Sequence, residues 1–314
     1  MLGIRLIRLV NTIHELARLN LQFGCTVEPT VAERPVVKHS EYLKAARVVQ
    51  SAARSVIHSN SSSTQPEVIT DSGERVPFDF LVITTGSTYT GPSTEAERIK
   101  FYEDEKESVL VIGGGPVGIE FVGEIVTDFP DKKVTLVHSG ERVLEFLGNK
   151  ASEKTHKWLK SEKVELILND RIEVENLTGP DYVTKNGDAY QGRCTLRVHW
   201  KARRIWLKET DLAHLLDEND RLKVDTNMRL EGVPNVFAVG DITNTKEIKQ
   251  GYLALNQAAV VVENIKKLFK APKAPKLAGY KPLASPLGVV SLGRCEAVAQ
   301  LPLVTLVGRF PGMI

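Results

Sequence analysis

The chain has 314 residues, 42% of them hydrophobic and 25% charged, and a formal net charge of +2. This composition is typical of a globular protein with one or two domains, and so small a charge gives no reason to expect a nucleic-acid partner. The three cysteines form no CxxC pair, so we predict neither a metal site nor a redox-active disulfide. No apolar run reaches the roughly 18 residues that a transmembrane helix needs.

Residues 1–21 contain leucine and isoleucine at near-helical spacing, with arginines between them. The spacing predicts an amphipathic helix, although an arginine-bearing start with little acid also resembles an organelle presequence. We expect reduced thiols and a cytoplasmic location, and the sequence leaves organelle import and membrane association open.

A β-hairpin is predicted from residues 67–70 and 75–78, which flank the turn residues Asp71-Ser72-Gly73. The buried strand 81–83 follows and leads into Thr84-Thr85-Gly86. A glycine at the end of a strand lets the backbone pass close to a ligand or to another chain segment. An ordinary strand end fits the same residues.

The segment VLVIGGGPVGIEFVGEI, residues 109–125, carries the most specific pattern of the chain. An apolar, β-branched strand leads into GxGxxG and then into an amphipathic helix. Each glycine has a mechanical reason: a tight turn at Gly113, close approach of a pyrophosphate at Gly115, and helix–strand packing at Gly118. Because a second apolar strand, 134–137, follows the helix, we predict dinucleotide binding rather than a merely tight turn.

The end of that second strand is unusual for an NAD site. About 20 residues after the last glycine, such sites usually carry an acidic residue that binds the ribose hydroxyls, and this chain has His138. Without the carboxylate nothing repels a 2′-phosphate, and Arg142 could bind one in a bidentate manner. This favours NADPH or the use of both nucleotides, while Arg142 as a solvated loop charge fits equally well.

The middle of the chain continues with a predicted helix at 151–162, a strand at 164–168 and a hairpin at 182–190. Residues 192–209 break the pattern, because basic residues crowd there and no clean apolar strand is visible. Basic residues beside Trp200 and Trp206 suggest nucleic-acid stacking, but the run is too short and isolated to support it.

A second stretch with residues suited to ligand binding is the apolar strand that ends at Gly240 and Asp241. The carboxylate could accept hydrogen bonds from a sugar or polyol, or could cap the following segment. Residues 251–265 predict a helix whose positive end could face an electron-rich ring. Residues 266–278 predict a lysine- and proline-rich linker, which is either a solvated loop or a weak contact to anionic membrane.

The order of the motifs DFLVITTGS, VLVIGGGPVGIE and NVFAVGD resembles that of flavoproteins with two dinucleotide-binding domains. The segments GDITNTKEIKQGYLALNQA and YKPLASPLGVVSLGRCEAVAQ are similar to those of apoptosis-inducing-factor-like, ferroptosis-suppressor-type oxidoreductases, plant members especially. The resemblance implies an α/β fold with a discontinuous, incomplete FAD domain (22–100 and 206–270), an intact NAD(P)H-binding insert (101–205) and a truncated C-terminal segment (271–314).

The same resemblance implies roles for individual residues. The nicotinamide nucleotide would contact Gly113, Gly115, Pro116, Gly118, Glu120, His138 and Arg142. The flavin would contact Val49, Thr85, Gly86, Gly240, Asp241, Gln250, Gly251, Tyr252 and Leu253. Glu120, toward the nicotinamide, is the expected catalytic residue. From the residues alone, it equally well fits a carboxylate near a helix N-terminus, where it favours the dipole.

The implied reaction is hydride transfer from NAD(P)H to FAD, followed by electron transfer to a quinone-like acceptor. Residues 1–24 depart from the family because they lack its first GxGxxG, which binds the ADP half of the flavin. Loss of those charge-assisted contacts, roughly 1.5–3 kcal/mol each, predicts weak flavin binding. The alternative is therefore an NAD(P)H-binding remnant without flavin and without turnover. The oligomeric state is not predicted.

Overall fold

The computed structural model describes residues 8–9, 46–58, 65–89, 108–172, 181–187, 189–191, 194–197, 200–201, 205–271, 275–283 and 287–312. Its strands are β1 (Arg8–Leu9), β2 (Val48–Val49), β3 (Ala53–Ile57), β4 (Glu67–Thr70), β5 (Arg75–Pro77), β6 (Leu81–Ile83), β7 (Thr88–Tyr89), β8 (Ser108–Ile112), β9 (Lys133–Val137), β10 (Glu165–Ile167), β11 (Asp181–Val183), β12 (Ala189–Gln191), β13 (Cys194–Arg197), β14 (Trp200–Lys201), β15 (Arg229–Leu230), β16 (Val233–Ala238), β17 (Gly288–Leu292), β18 (Glu296–Gln300) and β19 (Thr305–Gly308). Its α-helices are α1 (Pro116–Asp128), α2 (Asn149–Ser161), α3 (Ile205–Lys208), α4 (Gly251–Lys270) and α5 (Arg309–Gly312). The predicted α/β class is confirmed.

The chain divides into two compact units. The first unit takes its described residues from 1–17, 36–88 and 201–283, and the second takes them from 18–35, 89–200 and 284–314. The assignment of a flavin domain and a nicotinamide domain to defined residue ranges stays a prediction. Within the described segments, no helix combines the length and the apolar composition that crossing a bilayer requires.

The first unit contains the sheet β15-β16-β6, in which β16 and β6 run parallel. Side chains of β16 alternate between two cores, as the period of a strand requires. Val236 and Ala238 pack with Leu81 and Ile83 of β6. Phe237 packs on the opposite face with the side chain of Val261 from α4. This strand pair therefore has both faces covered, and its two carboxyl ends lie side by side.

The remaining strands of this unit are short. The predicted hairpin at 67–78 is confirmed as the antiparallel pair β4–β5, and β3 extends it to three strands. The helix predicted over residues 1–21 is wrong at Arg8–Leu9, which form β1 and pair in parallel with β2. Backbone pairing with a partner that lies 40 residues away in the chain overrides a helical spacing there. The other residues of 1–21 lie outside the described part.

Helix α4 is longer than the sequence pattern indicates. It was predicted to end at residue 265, before a lysine-rich linker, but it continues to Lys270. Leu268 extends the buried stripe, because it packs against the cluster that contains Phe237. Lys267 and Lys270 lie in the last turn, where positive charge is favourable to the helix dipole.

The second unit contains the parallel sheet β10-β9-β8-β13. The βαβ unit predicted from residues 109–137 is confirmed: β8 is followed by α1 and then by its neighbour β9. Residues 192–209 show no clean apolar strand in the sequence, yet Cys194–Arg197 form β13 beside Val109–Ile112. An edge strand pairs through its backbone, so the apolar pattern that would reveal it is not required.

A C-terminal meander, β17-β18-β19, packs against α1 and α2 within this unit. Val290, Leu292 and Val298 belong to the same core as Ile119 and Val122 of α1.

Polar contacts hold the meander in place. Arg294 binds Asp128 at the end of α1 through two hydrogen bonds of 2.6 Å. The indole N–H of Trp158 in α2 donates to the Glu296 carboxylate at 2.7 Å. Gly123 of α1 packs so closely on the β17–β18 turn that a Cβ there would overlap the backbone N of Gly293.

The fold predicts different outcomes for two glycines of the GxGxxG segment. A Cβ at Gly118 would overlap the Gly113 carbonyl oxygen, whereas a Cβ at Gly115 meets nothing within 4 Å. We expect Gly118→Ala to lower the free energy of unfolding by about 1–3 kcal/mol, as overpacking does. Gly115→Ala is the matched control and should leave it nearly unchanged. Urea unfolding followed by circular dichroism measures both, and equal midpoints would contradict the packing role of Gly118.

Candidate functional site

The glycine-rich loop lies between β8 and α1. Gly113 has φ of +115°, a conformation that side chains rarely adopt, and its N–H donates to the Val137 carbonyl at 2.8 Å. Gly115 is the N-cap of α1, and Pro116 occupies the first turn, where the missing N–H is no loss. No side chain caps the helix and no acidic residue lies in its first turn. The N-terminal partial positive charge of α1 is therefore left for an anionic ligand.

His138 lies beside this loop. The Gly114 N–H donates to the imidazole Nδ1 at 3.1 Å, so the neutral imidazole carries its proton on Nε2. Nε2 is buried without a partner among the described residues. Burial lowers the pKa of His138 below its ordinary value, against the opposing influence of Glu145. The structure thus gives His138 a contact with the loop itself, and its role beside the ribose stays a prediction.

Arg142 holds its own loop together. Its guanidinium donates to the Leu147 carbonyl at 3.1 Å and to the Glu145 carbonyl at 2.8 Å. The adjacent Leu144 N–H donates to the Gly114 carbonyl at 2.8 Å. Arg142 therefore shapes the segment that packs on the glycine-rich loop. Contact between Arg142 and a nucleotide phosphate stays a prediction.

Glu120 lies one turn into α1, and its carboxylate is largely buried. Desolvation raises its pKa to about 7, helped by the nearby Glu124 and opposed by the hydrogen bond from Ser291. That bond is long: the Ser291 N–H of β17 lies 3.4 Å from the Glu120 carboxylate oxygen. At neutral pH the carboxyl group is thus poised between its two protonation states. Its predicted catalytic role is not tested by this geometry.

Several residues predicted to contact the flavin lie at the parallel strand ends of the first unit. After β6 the chain passes through Thr85, Gly86 and Ser87, and after β16 it passes through Gly240 and Asp241. The Ser87 hydroxyl donates to the Asp241 carboxylate at 2.9 Å and joins the two ends. Gly86 and Gly240 have φ of +63° and +77°. The structure brings these sequence-predicted residues together at one edge of the sheet.

The N-terminus of α4, at Gly251, follows the Gly240–Asp241 segment in the chain. Gln250 is the N-cap of the helix, and its side-chain oxygen is buried without a hydrogen-bond partner in the described part. The Thr85 hydroxyl is in the same situation. Gly251 and Tyr252 are exposed at the helix start, and Leu253 is buried. Buried polar atoms without partners are uncommon and often indicate a missing ligand.

Val49 lies apart from that edge in chain order, in the short strand β2. Its side chain is buried, and its backbone pairs with Leu9 of β1. The structure therefore gives Val49 a place in the core of the unit. A backbone contact between Val49 and an adenine stays a prediction.

These residues fit the two expected cofactors. Gly115 leaves open space at an uncapped helix N-terminus, as a pyrophosphate requires. The orphaned oxygens of Thr85 and Gln250, with Asp241, suit the hydroxyl and N–H groups of a ribityl chain and flavin ring. The segments described contain no cluster of His, Cys, Asp and Glu suited to a metal, and Cys295 is a free, exposed thiol.

Three polar residues that support the predicted flavin site were not predicted from the sequence. Ser87 binds Asp241, Gln257 accepts a hydrogen bond from the Gly240 N–H at 2.7 Å, and Glu247 binds Gln257. Ser87 directly follows the Thr-Gly turn, so its proximity to that turn was a usable signal. The other two lie within a helix and a loop, where no local pattern marks them.

Comparison with protein families gives a match over most of the chain. A model described as pyridine nucleotide-disulphide oxidoreductase matches residues 11–260. The chain is 30% identical over 310 residues to apoptosis-inducing factor homolog A of Dictyostelium discoideum, covering 88% of this chain and 74% of that protein. It is 32% identical over 262 residues to ferroptosis suppressor protein 1 of Mus musculus, covering 74% and 67%.

Solved structures share the fold at lower sequence identity. The sulfide:quinone oxidoreductase of Aquifex aeolicus superposes with a TM-score of 0.74 at 16% identity and covers 95% of this chain and 80% of that one. An NAD-dependent persulfide reductase from A. fulgidus gives 0.72 at 19% identity, and the chain spans 59% of its length.

The raised pKa of Glu120 predicts a pH-dependent stability. Because the folded-state pKa of about 7 exceeds the ordinary value of 4.5, the protonated carboxyl favours the fold below pH 4.5, and this contribution is lost as the pH rises through 7. We expect Glu120→Gln to remove that loss. The difference in the free energy of unfolding between variant and wild type should therefore shift by about 3 kcal/mol in favour of the variant between pH 4.5 and pH 8.

Urea unfolding between pH 4.5 and pH 8 measures the effect. Glu153→Gln, on the exposed face of α2, is the control, because it removes a carboxylate without touching a buried one. Parallel pH profiles of wild type and Glu120→Gln would contradict the assignment.

Proposed function

The chain belongs to the pyridine nucleotide-disulphide oxidoreductase family, and we propose that its reaction is hydride transfer from NAD(P)H to FAD, followed by electron transfer to a quinone-like acceptor. The cofactors supply the redox chemistry, and the chain binds them, orients them and excludes water. The observation that carries the proposal is the open space at Gly115, beside an uncapped α1 N-terminus. A side chain at that position would occupy the space that a pyrophosphate needs.

The nucleotide end is organised by backbone groups. The turn at Gly113 and the close packing at Gly118 hold the first turn of α1 against β8, so its free N–H groups have a fixed direction. Glu120, four residues into the helix, would then face the nicotinamide and hold or release a proton near neutral pH. This role for Glu120 rests on the family resemblance and on its raised pKa.

The flavin end is organised by side chains. Asp241, oriented by Ser87, would accept hydrogen bonds from the ribityl hydroxyls, and the Gln250 oxygen would accept one from the ring. At Thr85, Gly86 and Gly240 the backbone would approach the flavin closely. The N-terminus of α4 would supply positive potential to the flavin ring. These assignments make the first unit the flavin-binding part and the sheet of the second unit the NAD(P)H-binding part.

The acceptor is proposed from the relatives and from surface charge. One structure with this fold is named a sulfide:quinone oxidoreductase, which makes a quinone-like acceptor the natural candidate here. Because quinones with long tails reside in membranes, we extend the proposal to a peripheral membrane contact through the last turns of α4. There Phe269 is exposed beside Lys266 and Lys270. Lysines near an apolar side chain favour an anionic lipid surface.

A direct test uses the purified chain reconstituted with FAD. We expect NADH-dependent reduction of a soluble quinone analogue. Gly115→Leu should lose more than about 100-fold in NADH affinity, measured by nucleotide fluorescence, because two charge-assisted contacts of roughly 1.5–3 kcal/mol would be blocked. His156→Leu, exposed on α2, is the control for an added leucine.

The visible spectrum separates the proposal from its alternative. A stoichiometric flavin chromophore supports the oxidoreductase. NADH binding without flavin and without turnover would instead identify an NAD(P)H-binding remnant. Unchanged NADH affinity in Gly115→Leu would contradict the nucleotide site itself.

The nucleotide preference is predicted to depend on His138. A neutral imidazole does not repel a 2′-phosphate, so we expect NADH and NADPH to bind with similar affinity. His138→Asp keeps an acceptor for the Gly114 N–H but adds a negative charge. The variant should favour NADH over NADPH by about tenfold or more, because two like charges about 4 Å apart repel each other by roughly 1–4 kcal/mol. Fluorescence titration at pH 7.5 measures both affinities. His138→Asn, which retains an uncharged acceptor, should leave their ratio unchanged, and an equal shift in both variants would contradict this account.

A further inference from the structure

A chain of hydrogen bonds in the first unit connects Tyr280 to the turn at Gly240. The Tyr280 hydroxyl donates to the two Glu247 carboxylate oxygens at 2.8 and 2.9 Å. Gln257 donates through Nε2 to Glu247 at 2.6 Å, and its Oε1 accepts from the Gly240 N–H at 2.7 Å. The side chains of Tyr280, Glu247 and Gln257 thus form a continuous chain of hydrogen bonds that ends at the Gly240 N–H, directly before Asp241.

The direction of each bond in this chain is fixed. Glu247 also accepts from the Leu283 N–H at 3.2 Å, so all its described partners are donors. A carboxylate selects the NH₂ group of Gln257, and the amide oxygen is then left to face Gly240. Gln257 is only 1% exposed, so water does not compete for either end. A hydrogen bond to a charged acceptor is the stronger kind, which makes Glu247 the anchor.

Tyr280 is placed by contacts of its own. It belongs to the segment 275–283, which α4 clamps through Asn264. The Asn264 side chain, fully buried, accepts from the Ala278 N–H at 2.7 Å and donates to the Ala278 carbonyl at 2.9 Å. The Tyr280 N–H donates to the Thr226 carbonyl at 2.7 Å. The hydroxyl therefore reaches Glu247 from a fixed backbone. Burial and Glu247 raise the pKa of Tyr280, so it remains a donor at neutral pH.

The Gly240 turn depends on this contact. Gly240 has φ of +77°, and its carbonyl accepts from the Thr243 N–H at 3.1 Å, which closes the turn on one side. At the start of the turn, the Gly240 N–H donates a hydrogen bond to the Gln257 side-chain oxygen. Without that acceptor a half-buried N–H loses its partner, and the peptide that precedes Asp241 loses its orientation.

We propose that Tyr280, Glu247 and Gln257 form a positioning relay, which fixes the Gly240–Asp241 turn for a flavin ribityl chain. The inference rests on the proposed function, because the ligand is the flavin. None of the three residues needs to touch the flavin. They act on flavin affinity through the backbone of the turn.

Exchange of the two relay groups tests the idea. Gln257→Glu places two carboxylates against each other, so we expect about tenfold faster hydrogen exchange of the Gly240 amide and about tenfold weaker FAD binding. The double variant Glu247→Gln/Gln257→Glu restores alternating donors and acceptors, and it should recover both values. Tyr280→Phe, which removes one donor, should give a smaller effect in the same direction. Glu263→Gln, on the exposed face of α4, is the control and should change neither value.

The two readouts separate this inference from the function it rests on. Amide exchange is measured by NMR without flavin, and FAD affinity is measured by quenching of flavin fluorescence. Rescue of both by the double variant supports the relay. Exchange that changes while FAD affinity stays constant overturns it, as does failure of the double variant to rescue. If the wild-type chain binds no FAD, the proposed function fails, and rescue of amide exchange alone then decides whether the relay holds the turn.

Discussion

The first turn of α1 is held against β8 by a contact that leaves no room for a side chain. Gly118 faces the Gly113 carbonyl, and this closeness fixes where the helix begins and the direction in which its N-terminal N–H groups point. The position of Gly115, and therefore the proposed place for a pyrophosphate, follows from it. In the first unit a hydrogen bond, rather than close packing, fixes the positions of the chain segments. There the ends of β6 and β16 are joined by the hydrogen bond between Ser87 and Asp241. Steric closeness organises the proposed nucleotide site, and polar side chains organise the proposed flavin site.

Two ionisable side chains near the glycine-rich loop are shifted by burial in the same sense, toward the neutral form. Burial lowers the pKa of His138 and raises that of Glu120, so both groups are driven toward their neutral forms near pH 7. The first turn of α1 contains no acidic side chain and has no side-chain cap. The first turn of α1 therefore adds no negative charge of its own, and the positive potential of the helix N-terminus is available to an anionic ligand. An ionised carboxylate in the first turn of α1 would weaken that attraction.

The local parts of the fold were predictable from the sequence, and the parts that depend on distant contacts were not. The βαβ unit at 109–137 was predictable because its glycines and apolar periods are read within 30 residues. Strand β13 was not, because only its pairing with β8 makes it a strand. The end of α4 was missed because Leu268 is held by Phe237, which lies in another element.

The candidate site divides in the same way. The sequence indicated Gly86 and Asp241 and the glycine-rich loop, since each follows an apolar strand. It could not indicate that Gln257 binds Gly240, because a glutamine inside a helix carries no sign of what it faces.

The docking of the C-terminal meander has a consequence for biosynthesis. Val290, Leu292 and Val298 complete a core whose other members, such as Ile119 and Val122, are translated far earlier. Until the meander leaves the ribosome, α1 carries an uncovered apolar side on an otherwise finished sheet. Such surfaces are where nascent chains aggregate or recruit chaperones. The second unit therefore exposes this apolar side of α1 until its last strands have been synthesised.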